Sequence, residues 1–120
     1  MIIKSKTPNP AARVMIVIAS GEREKAWTGL LYARWAVESG YMDAARVFLW
    51  GPAAEPVTRD LELQAMVEEI INLGQMIYVC KACSDKYGVS EKLEKIGCRV
   101  DYVGPVSTEF IRQGYTIFNW

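Results

Sequence analysis

Gln75-Met76-Ile77-Tyr78-Val79-Cys80-Lys81-Ala82-Cys83-Ser84-Asp85-Lys86-Tyr87-Gly88-Val89 begins as an apolar run of strand length and stops at a cysteine. A second cysteine follows three residues on, in what reads as the first turn of a helix. A strand passing directly into a helix is the repeating unit of an open parallel α/β sheet, and its junction faces the crevice where such folds bind ligands. A thiol at that junction lies near the positive end of the helix dipole and among unpaired backbone N–H groups. Both favour thiolate over thiol, so Cys80 is expected to be a reactive sulfur.

The flanking sequence repeats the same unit. Upstream, Leu61, Ala65, Met66, Ile70 and Leu73 make an amphipathic helix ending at Gly74. Ala45 to Trp50 reads as a strand stopped by Gly51-Pro52, with a loop over residues 53–56. Glu22 to Ser39 carries Ala26, Leu30, Ala33, Trp35 and Val37 at roughly helical spacing, with Ser20 as the expected N-cap and Gly40 closing the helix. Val14 to Ala19 is a continuous apolar run, as expected of a strand buried on both faces. Residues 1–12 contain Thr7-Pro8-Asn9-Pro10 and read as irregular.

Downstream, Val89 to Ile96 forms a short helix with Ser90 as the expected N-cap and Gly97 at its end. Cys98 to Val103 alternates as a strand, Gly104-Pro105 reads as a turn, and Ser107 to Gln113 as a short helix. Gly114 precedes a last strand, Tyr115 to Phe118. Five strands alternating with helices predict a three-layer α/β/α sandwich with a five-stranded, mainly parallel sheet. A single domain is expected over residues 1–120, with no repeat or linker.

Composition narrows the function. Lys plus Arg and Asp plus Glu both number 14, so no net field draws the chain to nucleic acid or anionic lipid. The longest apolar run, Val14 to Ala19, is too short to span a bilayer. Residues 1–7 lack the h-region and cleavage site of a signal peptide, so a cytoplasmic protein is expected. There is no histidine, which removes Ser-His-Asp and Cys-His catalysis and the usual nitrogen ligand for zinc. Three cysteines fall short of a closed four-thiolate zinc site, and no metal or other cofactor is expected.

The loop Ser20-Gly21-Glu22-Arg23-Glu24-Lys25 has neither the dinucleotide glycine fingerprint nor a Walker A pattern. A receiver domain would place an aspartate where this chain has Cys80. Cys80 and Cys83 form a C-x-x-C pair, but after the third strand rather than an early one, unlike the thioredoxin arrangement. Cys83 either packs at the helix–sheet interface or acts as a second thiol. Cys98, opening a strand after Gly97, reads as core.

The stretch Val79 to Val89, with a cysteine at a strand end, then small residues, a basic position and Gly-Val, resembles the DsrE/DsrF-like sulfur-relay family. So do the apolar first strand, the Ala- and Arg-rich helix after an acidic loop, Val47-Phe48-Leu49-Trp50-Gly51-Pro52, and the closing Gly97-Cys98-Arg99-Val100. The likeness spans most of residues 13–120. It implies a three-layer α/β/α domain assembled as a trimer or hexamer. It also implies a cysteine carrying sulfane sulfur, as a persulfide or thiosulfonate, between donor and acceptor proteins or small sulfur compounds. The family's sulfur-carrying cysteine falls on Cys80, eight positions before Gly88.

On this reading Cys80 attacks the outer sulfur of a donor and surrenders it to an acceptor thiol, while Cys83 is a second catalytic candidate. Lys81, Ser84 and Lys86 beside the cysteines, and Ser20 in the first loop, are the candidate substrate-binding residues; the lysines read equally as solvated surface groups. Two alternatives stand beside the carrier: a dithiol redox protein using Cys80 and Cys83, and a non-catalytic oligomeric binding subunit. Trp27, Trp35, Trp50 and Trp120 are large for so small a core, and any left exposed would mark a subunit interface.

Overall fold

The computed structural model describes residues 12–120. Its elements run β1 (Arg13–Ile18), α1 (Arg23–Glu38), β2 (Ala44–Leu49), α2 (Leu61–Asn72), β3 (Ile77–Cys80), α3 (Lys81–Tyr87), α4 (Ser90–Ile96), β4 (Arg99–Asp101), α5 (Val103–Arg112) and β5 (Thr116–Asn119). The sheet order is β4-β3-β2-β1-β5 and every pairing is parallel, so the expected mainly parallel sheet is wholly so. The reading of residues 1–12 as irregular lies outside the described residues except at Ala12.

Strand periodicity builds the layers. Val14, Ile16 and Ile18 of β1 point to one face of the sheet, into a core shared with Leu30 and Ala33 of α1, Leu63 and Val67 of α2, and Leu93 of α4. Met15 and Val17 point to the other face, with Phe48, Tyr78 and Cys80, under Val103, Val106 and Phe110 of α5. Phe48 stacks on Tyr78 with ring centroids 5.0 Å apart, and Phe110 meets both rings edge-on. The chain therefore leaves β3 through α3 and α4 toward the first face, but leaves β4 through α5 onto the second. Loops that part in this way open a crevice at the carboxyl ends of neighbouring strands. Cys80 is the last residue of the strand on one side of that parting.

Local chemistry shifts several predicted boundaries. Ser20 does not cap α1: Glu22 holds the cap position, and the Ser20 hydroxyl accepts the Glu22 N–H at 3.0 Å, tightening the turn before the helix. Val89 rather than Ser90 precedes α4. Gly104-Pro105 lies inside the first turn of α5, where a missing N–H leaves no intrahelical bond unmade, so the helix starts at Val103. β4 is correspondingly short, and the loop expected over residues 53–56 winds into two 3-10 turns, Gly51–Ala54 and Pro56–Thr58. Asp60 caps α2 by accepting the Leu63 N–H at 3.1 Å, and Arg23 ties this cap to α1 through a 2.5 Å contact with Asp60 and a second with Glu62. No described helix is long and apolar enough to cross a membrane.

α1 approaches β1 closely because residue 29 has no side chain. A Cβ there would stand 2.9 Å from Cδ1 of the fully buried Ile18 and 3.1 Å from Trp120 Cδ1. Gly29→Ala should therefore destabilise the fold by about 1–3 kcal/mol through overpacking, outweighing the roughly 1 kcal/mol that alanine contributes to helix propensity. Urea unfolding reads the difference as a lower midpoint. A midpoint equal to or above the wild type would contradict the packing.

Candidate functional site

The site is built where β3 becomes α3. Cys80 ends the strand in an extended conformation (φ −63°, ψ 112°), and its side chain takes the N-cap role, with Sγ accepting the Cys83 N–H at 3.4 Å. A sulfur thus does what a serine, asparagine or aspartate oxygen ordinarily does at a helix start. Gly88 ends the helix about two turns later in the left-handed region (φ +70°), and the Val89 N–H returns to the Ser84 carbonyl at 2.9 Å. The Gly-Val pair that follows the cysteines in the sequence is this cap.

Cys80 itself retains only 7% of its surface, seated among Met15, Phe48, Tyr78, Val103 and Tyr115 on the face that α5 covers. Cys83 is half-buried beside it and is the more accessible thiol. The two Sγ atoms stand 2.6 Å apart and both residues are free cysteines. Burial, and then the neighbouring Cys80 sulfur, push the Cys83 thiol up; the Gly51 N–H and the Lys86 ammonium act more weakly in the opposite sense. Cys83 therefore keeps its proton at neutral pH, and that proton lies within reach of Cys80 Sγ.

The other expected residues spread differently. Lys81 lies along α3, its Nζ 2.8 Å from Asp85 Oδ2 and 5.9 Å from the centre of the Tyr102 ring. The ion pair raises Lys81 and, together with Ser90, holds Asp85 below the usual carboxylate range. Lys86 Nζ sits 5.6 Å from the Tyr87 ring centre. Ser84 is fully buried: its hydroxyl reaches the Lys81 carbonyl at 3.2 Å and the Ser90 hydroxyl at 2.6 Å, locking α3 to α4. Ser20 is in the loop after β1, whose Gly21 abuts Pro52 of the first 3-10 turn, so the loop touches the layer next to the cysteines.

Two neighbours of the sulfur were not singled out in the sequence. Asp101 on β4 stands in register with Cys80, and its carboxylate accepts the Tyr102 N–H at 2.8 Å with Arg99 3.5 Å away. The polar–apolar alternation of Arg99-Val100-Asp101 carries the signal, since it puts Asp101 on the same face as Cys80 once the register is known. Gly51 (φ +59°) turns its N–H toward Cys83, a contribution of a backbone atom that side-chain chemistry does not announce.

A parallel α/β domain that ends its third strand on a thiol pair at a helix start defines a class of thiol-bearing α/β proteins. The chain belongs to the DsrE/DsrF-like family, whose sequence model matches residues 12–120. The fold is similar to that of a conserved protein of unknown function from Bacteroides thetaiotaomicron, with a TM-score of 0.82 and 23% sequence identity over 90% of this chain and 94% of that one. No curated protein matches the sequence.

Cys98 lies apart from the pair, buried in the core on the opposite face of the sheet. Burial alone pushes its thiol up to about 12. A group raised above its unfolded value stabilises the fold fully below that value and loses the contribution as pH climbs through the folded one. Stability should therefore fall as pH rises from 9.0 toward about 12, and Cys98→Ala should flatten that part of the denaturation-midpoint profile. An unchanged alkaline slope in the variant would contradict the assignment.

Proposed function

We propose that the chain is an intracellular sulfur-relay protein that carries sulfane sulfur on Cys80, as a persulfide or thiosulfonate, and passes it to an acceptor thiol. The reading rests above all on Cys80 Sγ being the N-cap acceptor of α3, 3.4 Å from the Cys83 nitrogen. Both the backbone N–H and the protonated Cys83 thiol are placed to donate to the Cys80 sulfur. Family membership supports sulfur-relay chemistry in general.

Loading begins with the Cys80 thiolate attacking the outer sulfur of a donor. A new S–S bond forms, the donor's S–S bond breaks, and the electron pair leaves on the donor's inner sulfur as a thiolate or sulfinate. Discharge is the same displacement in reverse: an acceptor thiolate takes the outer sulfur and Cys80 leaves as thiolate. Neither step needs a general base, which suits a chain without histidine. The apolar seat of Met15, Phe48, Tyr78 and Val103 limits water around the loaded sulfur.

Assembly as a trimer or hexamer belongs to the same proposal. Trp35 on α1 is 50% exposed, and Phe118 on the edge strand β5, which meets Tyr32 of the same helix, is also exposed, aromatic surface of the kind that subunit contacts use. The cytoplasm is the proposed location, with donors and acceptors being thiol proteins or small sulfur compounds.

Anaerobic treatment with an alkanethiosulfonate anion, followed by cold acid quench within seconds and mass spectrometry, should find one added sulfur on Cys80. Cys80→Ser should lose the adduct completely. A folded wild type that gains none, or a Cys80→Ser variant that gains as much as the wild type, would overturn the carrier reading.

A further inference from the structure

Cys83 forms no covalent bond in loading or discharge, yet its Sγ stands 2.6 Å from Cys80 Sγ, facing the atom to which the carried sulfur would be bonded. We propose that Cys83 is a resolving thiol, which discharges an undelivered persulfide on Cys80 as sulfide and leaves a Cys80–Cys83 disulfide. The inference rests on the carrier reading and gives it a further activity, that of a persulfide reductase with a built-in limit on how long sulfur is held.

Placement selects the direction of attack. A persulfide offers two electrophilic sulfurs: attack on the outer one moves the cargo to Cys83, and attack on the inner one expels it. Cys83 abuts Cys80 Sγ, the inner atom, and the two residues are three apart across a strand–helix junction, so the ring they close is short. Partial exposure of Cys83 lets it reach solvent at the mouth of the site, and the Gly51 N–H aimed at its sulfur offsets part of the upward push on its proton.

The step balances. Cys83 thiolate forms a bond to Cys80 Sγ, the Cys80–S bond to the outer sulfur breaks, and the pair leaves on that sulfur as hydrosulfide, which keeps the persulfide's proton. The sulfane sulfur gains two electrons and the two cysteine sulfurs each lose one. An external dithiol restores both thiols by ordinary exchange, itself becoming a disulfide.

The upward push on Cys83 gives this step its timing. Because Cys83 is mostly protonated at neutral pH, resolution is slow beside transfer to a partner's ionised thiol and accelerates as pH rises. Prompt delivery thus competes ahead of self-discharge.

The test uses the alkanethiosulfonate anion because its leaving group is a sulfinate, so any sulfide must come from resolution. After anaerobic loading and removal of excess donor, the wild type is followed by mass spectrometry and a sulfide assay. The expected result is loss of the added sulfur, formation of an intramolecular disulfide two hydrogens lighter than the starting chain, and release of one sulfide per disulfide. Cys83→Ser, which keeps the backbone N–H at residue 83 and puts a hydroxyl donor where the thiol was, should hold whatever sulfur it takes up on Cys80 at least about tenfold longer. A loaded wild type that keeps its sulfur, or releases it without a disulfide, overturns the inference while leaving the carrier intact. Failure of the wild type to load at all overturns the carrier reading instead, and the wild-type measurement stands even if the variant does not fold.

Discussion

The hydrogen bond from the Cys83 N–H to Cys80 Sγ is the contact on which the site depends. It exists because β3 runs into α3 without an intervening loop, which makes the last strand residue the helix cap. A cap must offer an acceptor, and a cysteine in that place offers its sulfur. The N–H that starts the helix is thus the same N–H that the Cys80 sulfur accepts.

The second thiol gives the pair its asymmetry. Cys83 sits deeper in terms of its proton but nearer the surface in terms of its atoms, whereas Cys80 is nearly covered by the aromatic face under α5. Asp101, in register with Cys80, adds negative charge on the same face, and Arg99 3.5 Å from that carboxylate offsets part of it. The groups that act on the Cys83 thiol are all local: its burial, the Cys80 sulfur, the Gly51 N–H and the Lys86 ammonium.

Much of this was legible in the residues. The apolar runs at Val14, Ala45 and Ile77, punctuated by Gly40, Gly51, Gly74, Gly88 and Gly97, were enough for strand count, order of elements and the position of Cys80. Capping details were less so, because a serine near a helix start competes with its own neighbours: Ser20 bonds the Glu22 N–H, and Ser90 is drawn to Ser84 and Asp85. Gly104-Pro105 looked like a turn because both residues are turn formers, but in the first turn of a helix neither carries its usual penalty. The roles of Ser84, Asp101 and Gly51 follow from strand register and tertiary packing, which linear spacing does not contain. Ser84 in particular is a buried lock between two helices, and Lys81 is engaged by Asp85.

Exposure favours Cys83 and the proposed carrier role favours Cys80, so the order in which the two thiols react can be measured. Anaerobic alkylation of the native protein near neutral pH with a small uncharged iodoacetamide, stopped at partial reaction and mapped by peptide mass, reports which sulfur reacts first. The account predicts Cys80 modified ahead of Cys83 despite its 7% exposure. Modification of Cys83 first, with Cys80 reacting only on unfolding, would contradict it.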